Sequence, residues 1–67
     1  MNIIEESRMK EIESLIDWSS EKYPEFLEKI NWETIYLMLV KMKFDKLKEW
    51  MDMVFTQLRE DEIHSKT

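Results

Sequence analysis

The stretch between Asn31 and Ser65 contains no Gly, Pro, Ser or Asn, the residues that most often form turns or end helices. The whole chain has no Gly and a single Pro. Tight turns that need a positive φ angle are therefore disfavoured. No sustained alternation of apolar and polar residues indicates a strand. The sequence thus predicts an all-α fold with few connections between its helices.

The N-terminal part of the chain predicts an amphipathic helix over about residues 3–21. Asn2 can act as its N-cap, and Glu5 stands where a capping box requires an acidic residue. Apolar residues recur at helical spacing on one face, while acidic residues and Lys occupy the other. We therefore expect a helix with one buried face.

Pro24 marks the end of this first helix, because a proline disfavours helical geometry in the residue before it. A proline is also well suited to the first position of a new helix. We therefore expect a short connector helix over about residues 24–30, which reverses the chain. Asn31 then caps the next helix, since its side-chain oxygen can accept a backbone N–H of the first turn.

The C-terminal half predicts one long helix over about residues 32–62, followed by a frayed tail over residues 63–67. At about 100° per residue, one apolar stripe runs through the whole stretch without a change of phase. Its members are Tyr36, Val40, Phe44, Leu47, Met51, Val54 and Leu58. A break would normally shift the phase, so we favour one helix. The alternative is a break near residues 44–45, with Asp45 as the new N-cap.

A second apolar face lies beside this stripe and contains flexible Met side chains that suit an adaptable surface. Its members are Ile35, Met38, Leu39, Met42 and Met53. One antiparallel helix cannot cover both faces. The second face therefore needs a second copy of the chain, a foreign protein, or a helix of the same chain that folds back after a break at Asp45. We predict a helical hairpin that pairs into a homodimeric bundle through these five residues.

Charged residues form two candidate surfaces. An acidic ridge on the first helix comprises Glu6, Glu13, Asp17 and Glu21. A basic patch comprises Lys41, Lys43, Lys46 and Lys48. The ridge can imitate the phosphates of a nucleic acid and bind a basic groove on another protein, and the patch can contact phosphates. Either surface can equally be an ordinary solvated face of a helix.

The net charge of −5 opposes two classes of binding. Nonspecific binding to nucleic acid depends on neutralising phosphates, and an anionic membrane surface attracts basic segments. The longest uncharged run, Thr34 to Val40, is far too short to span a membrane. The acidic N-terminal segment lacks the apolar core of a signal peptide. We therefore expect a soluble cytoplasmic protein, and the scarcity of residues with GC-rich codons indicates an AT-rich genome.

Residues that carry chemistry are scarce. The absence of Cys excludes disulfides and thiolate metal sites, and a single His leaves no material for a structural zinc site or a nucleophilic triad. Asp61 and His64 have the helical spacing of a carboxylate–histidine metal pair, but they stand in a polar tail without further ligands. We expect no enzymatic activity, metal, cofactor or small-molecule substrate.

These observations favour a non-enzymatic protein–protein interaction module. The protein would be a small acidic helical adaptor, regulator or inhibitor that binds a larger protein. One alternative is a small helical DNA-binding regulator that uses the Lys41–Lys48 patch at a helix–turn–helix corner. The other alternative is a structural subunit of a larger assembly.

Overall fold

A computed structural model of the chain describes the backbone of residues 3–65 and the side chains of residues 6–65. Within these residues the fold is all-α, as the sequence predicted. The elements in order are α1 (Ile3–Lys22), a 3₁₀ helix (Pro24–Lys29), α2 (Trp32–Lys41) and α3 (Phe44–Ser65). None of the helices described is long and apolar enough to cross a membrane.

The end of α1 and the start of the 3₁₀ helix lie at the proline. Tyr23, the residue before Pro24, leaves helical geometry with φ −134° and ψ 56°, because the following proline ring disfavours the helical region. The Tyr23 N–H still donates to the Ser19 carbonyl at 2.8 Å, so the last turn of α1 stays closed. The predicted N-cap at Asn2 lies outside the described residues.

Asn31 is the N-cap of α2. Its side-chain oxygen accepts the backbone N–H of Thr34 at 3.2 Å, which satisfies one of the donors left without a partner at a helix start. Glu33 places a negative charge in the first turn, where the helix dipole favours it. The start of α2 therefore follows from its local sequence.

The interpretation of residues 32–62 as one continuous helix is wrong. α2 ends at Lys41 and α3 begins at Phe44. Met42 between them is extended, with φ −124° and ψ 149°. The Met42 N–H nevertheless donates to the Met38 carbonyl at 2.8 Å, so the break sacrifices few backbone hydrogen bonds.

Both ends of α3 differ from the prediction. Lys43 precedes the helix, and its carbonyl accepts the Leu47 N–H at 3.0 Å. Asp45, the predicted N-cap of the broken alternative, lies in the first turn. At the other end α3 continues to Ser65. The predicted frayed tail of residues 63–67 is therefore helical as far as the structure describes it, and its last two residues lie outside the described part.

The break between α2 and α3 has a physical cause in the core. α2 buries Ile35 and Leu39, whereas α3 buries Leu47, Met51 and Phe55. At about 100° per residue, the two sets would point roughly 140° apart on a continuous helix. The break turns both sets toward one core. Burying a large apolar side chain contributes about 1.5–3 kcal/mol, which outweighs the roughly 1 kcal/mol of a lost hydrogen bond.

One apolar core joins all four elements. Its buried members are Leu15, Tyr23, Phe26, Ile35, Leu39, Leu47, Met51 and Phe55. The predicted stripe is therefore correct only in part. Leu47 and Met51 are buried, but Val40 is 55% exposed and Leu58 is 43% exposed. The buried face of α2 contains Ile35 and Leu39, which the sequence predicts to face a partner.

Candidate protein-binding groove

α3 is attached on one side to the junction between α1 and the 3₁₀ helix. We call the residues that make this attachment the Tyr23 cluster: Lys22, Tyr23, Glu25, Asp52, Thr56 and Arg59. The Tyr23 hydroxyl donates to the Asp52 carboxylate and lies 3.0 Å from the Thr56 hydroxyl. Arg59 donates to the Glu25 carboxylate at 2.6 Å and to the Lys22 carbonyl at 2.8 Å.

Aromatic rings reinforce the same attachment. The rings of Tyr23 and Phe55 lie 5.2 Å apart between centroids, and Phe26 stacks on Phe55 at 5.4 Å. The Arg59 guanidinium lies 4.6 Å from the centroid of the Tyr23 ring, which is cation–π geometry. The polar groups of the Tyr23 cluster and the aromatic rings beside it already have partners within the chain. This side of α3 is therefore structural.

The Tyr23 cluster also shifts three pKa values. The hydrogen bond from Tyr23, together with one from Lys22, holds the pKa of Asp52 below its ordinary value. The same contact with Asp52 raises the pKa of Lys22. The backbone N–H of Glu25 itself, and then Arg59, lower the pKa of the Glu25 carboxyl. Each shift favours the charged form, so none of these three groups is adjusted for proton transfer near neutral pH.

The other side of α3 borders an open apolar groove. This α2–α3 groove has a volume of about 580 Å³ and runs between α3, from Trp50 to Ser65, and the segment from the 3₁₀ helix into α2. Its apolar walls comprise Ile30, Met38, Trp50, Val54 and Leu58. Buried core residues form its floor. The groove therefore exposes apolar side chains that the fold itself does not cover.

The exposed apolar surface extends beyond the groove along the outer face of α3. Trp50 is 43% exposed and Met53 is 67% exposed. Both line a shallower depression with Val54, Gln57 and Leu58. A large exposed apolar patch on a small protein is typical of an interaction site.

Charged residues stand at the end of the groove. Asp61 and Glu62 lie in the last turns of α3, and Lys29 lies at the end of the 3₁₀ helix. The partial negative charge at the C-terminus of α3 adds to that of the two acids. The two acids outnumber Lys29, so this end of the groove has a net negative charge and favours a positively charged side chain.

The predicted interface residues fall into two groups, those buried in the core and those at or near the groove. Ile35 and Leu39 are each 7% exposed, so the chain itself covers them, and their assignment as surface reserved for a partner is wrong. Both α1 and α3 contact α2, and the chain breaks at Met42 and Lys43 instead of at Asp45. Met38 lines the groove, and Met42 packs half-buried against the core. Met53 lies exposed beside the groove.

The acidic ridge is exposed along α1. Glu6, Glu13, Asp17 and Glu21 all face solvent in the described structure. The structure places the ridge on a different helix from the groove. It shows no geometry that distinguishes the ridge from an ordinary solvated face.

The basic patch surrounds the break between α2 and α3. Lys41, Lys43 and Lys46 are exposed there, so the break produces the helix–helix corner that the DNA-binding alternative requires. Lys48 is engaged within the chain, with Nζ 5.4 Å from the centroid of the Trp18 ring.

The Asp61–His64 pair has no metal site around it. Among the described residues, no group of three or more His, Asp or Glu side chains could hold a metal ion. The Asp61 carboxylate instead accepts a hydrogen bond from Gln57 at 3.1 Å.

Sequence reasoning missed most of the groove because it assigned Val54 and Leu58 to the main apolar stripe of the C-terminal half. The groove could have been predicted from the width of the apolar arc on α3. The buried residues of α3 recur every four positions and already fill one face. Trp50 and Met53 fall outside that face. When the apolar arc of a helix is wider than one neighbouring helix can cover, a contact with a further element or partner is indicated.

No family model, curated protein or solved structure matches the chain.

Proposed function

We propose that the protein is a non-enzymatic interaction module that binds an α-helix of a larger protein in the α2–α3 groove. The exposure of Trp50, Met53 and Leu58 around this groove is the observation that carries the proposal. Removing apolar surface from water contributes about 25 cal/mol per Å². A partner that covers these side chains therefore gains free energy that the fold alone leaves unused.

The spacing of the groove residues favours a helix as the bound element. Trp50, Val54 and Leu58 recur every four positions and form a ridge along α3. Helices pack by placing such ridges into the grooves of a neighbouring helix. An amphipathic helix with apolar residues at i, i+3 or i+4, and i+7 matches this row. A basic residue at one end of that helix would complement Asp61 and Glu62.

The DNA-binding alternative uses a different surface. Lys41, Lys43 and Lys46 at the α2–α3 corner would contact phosphates, but the net charge of −5 opposes such binding. The alternative predicts binding to duplex DNA that weakens steeply with salt, that Lys43→Glu abolishes and that Trp50→Glu leaves unchanged. The interaction-module proposal predicts no such binding.

A photo-reactive amino acid at position 53 tests the proposal. Met53 is the most exposed of the apolar residues beside the groove, so the replacement leaves the core intact. Irradiation in the native host is expected to join the protein to one larger protein, with the cross-linked peptide lying in a helix of that partner. Trp50→Glu in the same photo-reactive protein should abolish the adduct, because a charge placed in an apolar contact loses its water without gaining a partner.

A photo-reactive residue at position 13 is the matched control. Glu13 lies on the exposed acidic ridge of α1 and away from the groove. The proposal expects no adduct from this position. An adduct from position 13 alone, or one from position 53 that persists in Trp50→Glu, would show that the groove is not the binding site.

A further inference from the structure

The exposed face of α3 carries opposite charges at its two ends. Val54 lies near its centre, with Trp50 one turn before it and Leu58 one turn after it. Lys46 lies one turn before Trp50, and Asp61 follows Leu58 by about one turn. At about 100° per residue these five residues fall within an arc of roughly 120°. The face is thus basic at its N-terminal end, apolar in the middle and acidic at its C-terminal end.

We infer that a second copy of this chain occupies the α2–α3 groove in the free protein, with the two α3 helices antiparallel and crossing near Val54. A twofold axis at this point places Trp50 opposite the partner's Leu58 and Lys46 opposite the partner's Asp61. The inference rests on the proposed function, because the second copy occupies the groove that the helix of the larger protein would use.

The register follows from helix geometry. Lys46 and Asp61 lie eight and seven residues from Val54, which is about 12 and 11 Å along the axis at 1.5 Å per residue. An antiparallel pair centred on Val54 therefore brings the two charged groups to nearly the same height. A parallel pair would instead place Lys46 against Lys46 and Asp61 against Asp61. Opposite charges thus select the antiparallel orientation.

The charged groups are accessible for this contact. The Lys46 side chain is 74% exposed, and its Nζ lies 3.9 Å from the Glu49 carboxylate, at the outer limit of an ion pair. Glu60 and Glu62 flank Asp61 and strengthen the negative potential that Lys46 would meet. The gain is modest because exposed ion pairs are screened by water and salt, so the apolar middle of the face supplies most of the affinity.

The second copy also has the chemistry that the groove favours. Its α3 offers a row of apolar side chains and one basic residue, Lys46, at the acidic end of the groove. Self-association would therefore cover Trp50 and Leu58 until a helix with a larger apolar face competes for them. The dimer then regulates access to the binding site by mass action.

Charge reversal at the two ends of α3 tests the inference. The dissociation constant of the dimer is measured by sedimentation equilibrium for the intact chain and for Lys46→Glu and Asp61→Lys. Each single reversal turns two attractive contacts per dimer into repulsive ones and is expected to weaken the dimer about tenfold at low salt. An equimolar mixture of the two variants should return to the affinity of the intact chain, because each contact in the mixed dimer again joins opposite charges.

Two further variants complete the design. Lys41→Glu changes an exposed charge at the end of α2, outside the α3 face, and should leave the dimer unchanged. Trp50→Glu should give a monomer with undiminished helical circular dichroism. Recovery in the mixture also excludes misfolding as the cause of the weaker dimers, because two misfolded variants would not restore each other.

The outcomes of the dimer and cross-linking experiments distinguish this inference from the proposed function. A monomeric intact chain at roughly 100 µM, or a mixture that binds no more tightly than its components, overturns the antiparallel dimer. A position-53 adduct with a larger protein would then still support the interaction module. The opposite result is also possible: the mixture of variants recovers the affinity of the dimer, but position 53 cross-links to no larger protein. That result would support self-association and overturn the proposed function.

Discussion

The two sides of α3 differ in how far their side chains have contacts within the chain. On the side that faces α1, Tyr23 and Arg59 join distant parts of the sequence through hydrogen bonds and ring contacts. On the groove side, Trp50, Met53 and Leu58 remain substantially exposed to water. A side with satisfied polar groups gains little from a partner, whereas exposed apolar surface gains from each contact that excludes water. The comparison indicates that one side maintains the fold, and it supports the proposal that the other side binds a partner.

The same substitution on the two sides should have very different effects. Leu47 is fully buried in the core, and Leu58 is 43% exposed beside the groove. Leu47→Ala is expected to lower the free energy of unfolding by about 2–5 kcal/mol, because it leaves a cavity. Since a domain of this size has only about 3–5 kcal/mol in total, the variant would be largely unfolded. Leu58→Ala should cost less than about 1 kcal/mol, because its side chain is already substantially exposed in the folded chain.

Circular dichroism without denaturant measures how much of Leu47→Ala is folded, and urea denaturation followed by the same signal gives the free energy of unfolding of Leu58→Ala. The experiment should be done at a protein concentration below the dissociation constant of the proposed dimer, so that loss of self-association does not count as loss of fold. Comparable destabilisation by the two substitutions would mean that the groove side belongs to the core.

The sequence correctly predicted an all-α fold because its local signals act within one helix turn. Pro24 and Asn31 impose a bend and a cap on their immediate neighbours. The break at Met42 has no such local signal, since none of its neighbours is a Gly, Pro, Ser or Asn. It arises from tertiary packing, because only a broken helix lets Leu39 and Leu47 face the same core. A wheel drawn for a continuous helix could not show this.

The groove could be predicted only in part for the same reason. The sequence indicated more apolar surface than two helices can cover, and it included Met38 and Met53 in that surface. It placed Ile35 and Leu39 there too, although the chain buries them. Which apolar face a helix presents to its own chain depends on where its neighbours lie. Periodicity along one helix does not contain that information.

Removing the Tyr23 hydroxyl should weaken the attachment of α3 to α1. Tyr23→Phe keeps the buried ring but loses the hydrogen bond to Asp52 and the contact with Thr56. The melting temperature is expected to fall by about 4–8 °C, the shift that corresponds to one ordinary hydrogen bond in a domain of this size. Binding at the groove should be unchanged at temperatures where the variant is folded.

Thermal melts of Tyr23→Phe and Tyr36→Phe provide the measurement and its control. Tyr36 is half-buried on α2, outside the Tyr23 cluster. An equal fall in melting temperature for both variants would show that the cluster has no special role in stability.

Acid should weaken the stabilising contacts of the Tyr23 cluster and leave the apolar contacts of the groove unchanged. The pKa of Asp52 is lower in the folded protein than its ordinary value because Tyr23 and Lys22 donate to it. Its stabilising contribution is therefore present above the ordinary carboxyl value of about 4 and is lost as the pH falls through the lowered pKa. The raised pKa of Lys22 has the opposite sign, so its contribution is lost only in alkali.

Melting temperatures between neutral pH and pH 2 check this linkage. The intact chain should lose stability more steeply in acid than Asp52→Asn, which starts from a lower melting temperature at neutral pH. Glu13→Gln on the exposed ridge serves as the control and should follow the intact chain. Parallel curves for Asp52→Asn and the intact chain would contradict the assigned role of Asp52.

The smallest expected effect concerns Ser19, which lies on the attached side of the molecule. Its residue surface is 0% exposed, and its hydroxyl has no hydrogen-bond partner in the described structure. A buried hydroxyl without a partner costs free energy, and Ala has a higher helix propensity than Ser. Ser19→Ala is therefore expected to raise the free energy of unfolding by up to about 1 kcal/mol.

A larger side chain at position 19 should instead lower the free energy of unfolding, because Ser19 lies in a closely packed contact. Ser19 lies one turn after the fully buried Leu15 on the same face of α1, so Ser19→Leu adds volume to a packed contact and should cost about 1–3 kcal/mol. Urea midpoints measured with a constant m-value compare the two variants. Destabilisation by Ser19→Ala would show that the hydroxyl has a partner in solution. The attached side would then depend on one more hydrogen bond, and its contrast with the groove would be sharper.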